Sequence, residues 1–183
     1  MDQARLQTVR LVLRPYSLAD VNDLCQLAGA REVAATTLRI PHPYRQQDAV
    51  DYVKACLTAD GRGSTRFAIT LLDGGRLCGG IGLHIEPAPA ERNAELGYWL
   101  GVPYWGQGYA TEAARAVARY GIEVLGVHRI YATHFAHNLA SGRVLQKIGM
   151  RYEGRLRENV HKWGEFYDSL VYGMLASDLV PDP

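Results

Sequence analysis

Residues 94–135 constrain this fold most. "AELGYWLGV" (94–102) reads as a strand. Residues 109–125 set Ala113, Ala114, Val117, Ala118, Ile122 and Leu125 on one side of a helix, with Gly126 where a C-terminal cap glycine belongs. "RIYATHF" (129–135) reads as a second strand. Strand, helix and strand in that order make a βαβ unit, which requires a local parallel pair.

The remaining segments turn back on themselves. "TVRLVLRPY" (8–16) alternates like a half-buried strand. Ser17 and Asp20 have capping-box spacing, with Asp in place of Glu or Gln, ahead of a helix whose stripe is Val21, Leu24, Cys25 and Ala28. "IPHPY" (40–44) is a loop, a second helix carries Ala49, Val53, Cys56 and Leu57, and "DGRGS" (60–64) closes it. "RFAITLL" (66–72) turns at "DGG" (73–75) into "RLCGGIGLHI" (76–85), a hairpin signal. "EPAPAERN" (86–93) turns into 94–102. "NLASGRVLQKI" (138–148) is a helix capped by Asn138, with Gly149 just past its end. Residues 151–161 and 165–175 read as two strands turning at "KWG". The order is β α α β β β α β α β β. The expectation is an α+β protein: a mixed sheet, mostly antiparallel with one parallel pair, flanked by helices in one domain over 1–183.

Composition excludes several classes. Lys and Arg number 20 against 19 Asp and Glu, and no dense basic run occurs, so nothing argues for nucleic acid or a charged membrane surface. No apolar window reaches a membrane span and no signal-like N-terminus is seen, so the expected address is the cytoplasm. Cys25, Cys56 and Cys78 are odd in number and widely spaced, which suits free thiols rather than disulfides or zinc.

Gly106 and Gly108 stand between a strand end and a helix start, where backbone N–H groups and the helix dipole favour an anion. A tight turn that needs glycine gives the same pattern. Gly101 and Gly106 have Walker A spacing, but Gln107-Gly108 stands where Lys-Ser/Thr is required. The dinucleotide fingerprint fails too, because its third glycine is Thr111.

"GYWLGVPYWGQGYATEA" (97–113) followed by "NLASGRVLQKIGM" (138–150) resembles the GNAT acyltransferases, closest to the RimJ/RimL-like ribosomal-protein N-terminal acetyltransferases. The element order is that family's as well. The resemblance implies a GNAT-like acyl-CoA N-acyltransferase fold and acetyl-CoA as cosubstrate, with no metal. The family's turn is usually Arg/Gln-x-x-Gly-x-Gly/Ala; here Trp105 opens it, ahead of Gly108 and Ala110, so the grip falls to backbone amides. By the resemblance Trp105, Gly106, Gln107, Gly108, Tyr109 and Ala110 supply those amides, with Thr111 in the first turn. Leu100, Gly101 and Val102 pair with the pantetheine arm, the two strands of the βαβ unit splay to leave a slot, and Asn138 and Ser141 line it. The acceptor is a primary amine, of a protein N-terminus or a small molecule, entering between residues 34–46 and the turn at 157–165. The resemblance admits a homodimer. A catalytically silent acyl-CoA-binding domain is the alternative.

Amide formation needs a base, an N–H for the oxyanion and a proton donor for the thiolate. Alternation sets Glu95, Gly97, Trp99 and Gly101 on one face of their strand. A carboxylate there is either solvated and ion-paired or it serves as the base, and family usage favours the base. Ser141 is the acid, or holds a water that acts as one, or merely helps to cap its helix. The tyrosine that many family members use is Leu145 here. His134 and His137 precede the helix, and His134 either faces the acceptor or is structural; His42 and His161 border the acceptor side. No nucleophile constellation is visible, so transfer is direct.

Overall fold

A computed structural model describes residues 4–58, 64–87 and 92–180. The strands are β1 (Leu6–Gln7), β2 (Leu11–Arg14), β3 (Ser64–Leu71), β4 (Leu77–Ile85), β5 (Asn93–Leu100), β6 (Arg129–Phe135), β7 (Arg151–Lys162) and β8 (Glu165–Leu175). The helices are α1 (Val21–Ala28), α2 (Arg31–Thr36), α3 (Gln46–Thr58), α4 (Tyr109–Glu123) and α5 (Leu139–Lys147). The strands form one sheet in the order β1-β2-β3-β4-β5-β6-β8-β7. Every pairing is antiparallel except β5 with β6. The mixed sheet and its one parallel pair are as the βαβ signal requires. The parts of the turns at 60–64 and 86–93 that fall on residues 60–63 and 88–91 lie outside the described residues.

The sheet has two covered faces, set by the two-residue period of its strands. Phe67 and Ile69 of β3, Ile81 and Leu83 of β4, and Ala94, Leu96 and Leu100 of β5 pack under α4 and α5. Ala68 and Leu77, with Trp99 beside them, face α1 and α3. Helix α4 lies close to the sheet because its inner stripe is small: Ala113, Ala114, Val117 and Ala118 are buried, and a Cβ on Gly121 would fall 2.5 Å from Leu83 Cδ1. Ile122 and Leu125 pack at the edge of the same core. On the other face a Cβ on Gly80 would fall 2.1 Å from the Tyr16 hydroxyl and 2.7 Å from the Trp99 indole nitrogen, so glycine leaves the room that both side chains occupy.

The structure differs from the sequence reading at several points. The strand expected over 8–16 spans only Leu11–Arg14, because Thr8 N–H donates to the Leu11 carbonyl (2.9 Å) and turns the chain there. Helix α2 and strand β1 have six and two residues, too short to leave a periodic stripe. The Ser17–Asp20 box caps a short 3-10 turn, and buried Asp20 is held by Arg14 at 2.6 and 2.8 Å. Leu57, expected in the α3 stripe, is 51% exposed. Strand β5 ends at Leu100, and Val102–Tyr104 forms a 3-10 turn with Pro103 in its first positions.

Candidate active site

The parallel pair is only three residues long: Asn93, Ala94 and Glu95 lie beside Arg129, Ile130 and Tyr131. Beyond them β6 keeps its pairing with β8 through Phe135, while β5 continues on β4. The two strands part and a gap opens in the middle of the sheet. Gly101 N–H donates to the Cys78 carbonyl (2.8 Å), so odd residues of β5 bond to β4. The amides of Leu96, Tyr98 and Leu100 therefore face the gap.

The glycine turn lies at the wide end of β5. Gly106 and Gly108 have φ of 74° and 82°, a left-handed backbone that side chains disfavour. A Cβ on Gly106 would meet nothing within 4 Å. Glu112 N–H closes the first helical bond, onto the Gly108 carbonyl at 3.1 Å. None of the amides from Gly106 to Thr111 has a protein acceptor among the described residues. Consecutive free donors at the N-terminus of a 15-residue helix, with no Cβ over them, fit a diphosphate.

Trp105 and the strand end from Leu100 to Val102 do not fit as first placed. Trp105 cannot offer its amide, because that N–H donates to the Val102 carbonyl (3.1 Å); its indole N–H donates to the Leu100 carbonyl (2.8 Å) and pins the turn to the strand end. The carbonyls of Leu100 and Val102 are thereby consumed, and that of Gly101 accepts from Tyr104 N–H at 2.9 Å. An extended arm can pair with this strand end only through N–H groups there and through Tyr98 and Leu96 further back.

Arg10 and Glu112 brace the cradle, and neither was singled out from sequence. Glu112 accepts from the Arg10 backbone N–H and Nε, both at 2.8 Å, and from the Thr8 hydroxyl at 2.7 Å. Arg10 also donates to the Gln107 carbonyl (3.0 Å) and lies 4.6 Å over the Tyr109 ring. Burial pushes the Glu112 carboxyl up, but the Thr8 and Arg10 hydrogen bonds and the Arg10 charge outweigh it and hold it below its ordinary value. The signal in the sequence was only an acidic residue in a first helical turn, which the helix dipole favours anyway.

Across the gap, Asn138 caps α5 by accepting from Ser141 N–H at 3.2 Å. Ser141 does more than cap: its Oγ lies 2.8 Å from the Tyr98 hydroxyl, which also reaches the Ser141 carbonyl at 3.2 Å. Burial pushes the Tyr98 phenol up to about 12 against the hydrogen bond to Ser141, so it is a neutral hydroxyl. Leu145 is fully buried in the core. Tyr98 was legible only as part of an aromatic run, although alternation sets it opposite Glu95.

Glu95 faces the α1–α3 side, 3.3 Å from Arg39 Nη2, with its side chain 27% exposed. Its neighbour across the parallel pair, Tyr131, donates to Glu86. The segment after α2 and the β7–β8 turn meet beside it, where Lys162 Nζ donates to the carbonyls of Ala34 (2.6 Å), Thr37 and Ile40 (3.4 Å). Phe135, His137, Tyr167, Trp163, Lys162 and Ala35 bound a pocket of about 390 Å³ there. His134 stands apart: it is buried, stacked on Tyr172, with Nδ1 2.8 Å from the Phe135 carbonyl, and burial lowers its pKa. Thus Glu95 and Ser141 lie on opposite faces of the sheet, joined only by the gap.

A parted β5–β6 pair above a glycine-rich helix start is the layout of an acyl-CoA-dependent acyltransferase. The model of the acetyltransferase (GNAT) domain matches residues 10–151, and the chain belongs to that family. It is 34% identical to the uncharacterized N-acetyltransferase YoaA of Bacillus subtilis (strain 168) over 171 residues, 93% of this chain and 96% of YoaA. Over 86 residues, 47% of this chain and 44% of the other, it is 31% identical to the [ribosomal protein uS5]-alanine N-acetyltransferase of Escherichia coli (strain K12). The solved structure of RimL, a ribosomal L7/L12 alpha-N-protein acetyltransferase in complex with coenzyme A, superposes with a TM-score of 0.84 over 94% of this chain and 98% of RimL, at 19% identity, a likeness of fold.

The Arg10–Glu112 clamp yields a pH-dependent prediction. The folded Glu112 carboxyl ionises at lower pH than the unfolded one, so its stabilisation is complete above the ordinary carboxylate range and disappears as pH falls through the folded value. Glu112→Gln should cost about 1–2 kcal/mol at pH 7, discounted because Arg10 is half exposed. Urea midpoints of the two proteins should converge as pH falls below about 4.

Proposed function

We propose that the chain transfers the acetyl group of acetyl-CoA to a primary amine by direct attack in a ternary complex, within one domain. The observation that carries this reading is the row of free amides from Gly106 to Thr111 beside a gap flanked by Glu95 on one face of the sheet and Ser141 on the other. The activity named for the uS5 alanine N-acetyltransferase supports it. In this reading Gly106–Thr111 hold the diphosphate, and the gap-facing amides of Leu100 and Tyr98 take the pantetheine arm.

Acetyl-CoA supplies a thioester carbonyl and a thiolate leaving group. The acceptor must be neutral to attack, although an α-amino group has a pKa near 8 and an alkyl amine near 10.4. Glu95, directly or through a water, takes that proton. An amide of the β5 edge donates to the developing oxyanion. Ser141 donates its hydroxyl hydrogen bond toward the sulfur in the arrangement where the Tyr98 hydroxyl, 2.8 Å away, is the donor of their pair; either oxygen of that pair can donate. Asn138 fixes the helix start that carries Ser141.

Three variants test separate parts. Gly108→Asp places a carboxylate in the cradle, where its Cβ meets only Arg10 Nη2 at 3.4 Å; coenzyme A affinity should fall by at least about 100-fold by calorimetry while the fold survives. Retained affinity would remove the diphosphate assignment. Glu95→Gln should lower kcat by about 100-fold and abolish the acidic limb of the rate–pH profile; an unchanged profile takes the base role from Glu95. Tyr98→Phe should lower kcat about tenfold with little change in the KM for acetyl-CoA.

A further inference from the structure

The acceptor side carries positive charge that the chemistry of acetyl transfer does not use. Segments 31–45 and 155–165 contain six Arg or Lys against three Glu. Arg39 pairs with Glu95 and Arg155 with Asp168, and two of the others share one indole. Arg31, the first residue of α2, lies 5.6 Å over the Trp163 ring, and Lys162 Nζ lies 5.1 Å from the same centroid. His42 meets that ring edge-on at 6.2 Å.

Among the described residues neither cation has a carboxylate partner. Lys162 donates to three carbonyls, which solvate its charge without cancelling it. Arg31 has no carboxylate partner among the described residues. The acids nearest in sequence do not fill that place: Glu165 accepts from the Tyr167 hydroxyl at 2.7 Å, and Glu32 forms no ion pair among the described residues. Two like charges sharing one ring repel, and the cation–π contact of an exposed Arg is weak. A guanidinium fork with its donors unused matches a carboxylate or phosphate better than any group now touching it.

The corner is tied to the catalytic gap. Ile40 gives its carbonyl to Lys162, and the adjoining Arg39 reaches Glu95 with one nitrogen while its side chain stays 73% exposed. Trp163 and Lys162 also line the pocket that Ala35, Phe135, His137 and Tyr167 complete. We propose that the acceptor carries a carboxylate or phosphate beside its primary amine, held by Arg31 at the Trp163 corner while the amine reaches Glu95. The proposal rests on the acetyl-transfer reading and names the class of acceptor.

Thiol release from acetyl-CoA by the full chain tests it with matched amines: 4-aminobutyrate against 4-aminobutyramide, and C-terminally amidated tetrapeptides with free N-termini that differ by Glu or Gln at the second position. The acidic member of at least one pair should be favoured about tenfold in kcat/KM, and the preference should shrink as salt rises. The pair that shows it separates a small molecule from a protein N-terminus. Arg31→Gln should erase the preference and Arg31→Lys retain it, with melting curves confirming both folds. Equal rates within both pairs overturn the proposal, as does a preference that survives Arg31→Gln. Tight coenzyme A binding without turnover of any amine would bring down acetyl transfer itself, and this proposal with it.

Discussion

Everything at this site depends on the early end of the β5–β6 pairing. Three paired positions fix the direction of the two strands, and then each follows its other neighbour. Backbone amides left at a sheet edge need partners. In most sheets such an edge is a hazard; here it lies inside the protein between two covered faces, where only a ligand strand or water can reach it. The twist that separates the strands also separates the two candidate groups of the reaction, since alternation sends Tyr98 toward Ser141 and Glu95 toward Arg39.

The cradle shows how local strain and distant support combine. Two left-handed glycines turn the chain so that its amides point outward, and the helix dipole adds to them. Glu112 sits one turn away and would repel a diphosphate if it were unpaired. Arg10, Thr8 and the turn before β2 take up that charge, and the same guanidinium steadies the Gln107 carbonyl. The clamp thus ties the first strands of the chain to its central helix, across more than a hundred residues.

Much of the fold was legible because it rests on short-range patterns. The helix face of Ala113, Ala114, Val117 and Ala118, the cap at Asn138 and the hairpin at "DGG" each express a local period or a glycine preference. What was not legible has no local code. Trp105 reads as a residue of the cradle, yet its indole reaches back five residues to the Leu100 carbonyl and its amide is spent. Leu100 to Val102 read as one extended run, but Pro103 and the Tyr104 and Trp105 amides draw the last two residues into a turn. Helix α2 is too short for a stripe, and so the wall that Lys162 grips could be placed but not shaped.

The sequence by itself determined the βαβ unit, its glycine turn and the parallel pair, because strand and helix periods are written in adjacent residues. It also nominated Glu95, Ser141 and Asn138. Only the tertiary structure decided that Tyr98 meets Ser141 over 43 residues, that Arg39 meets Glu95 over 56, and that Lys162 closes on residues 34–40 from the far end of the chain. Those contacts depend on where the strands part and how the sheet twists, which is a property of the packed whole and of no single stretch of chain.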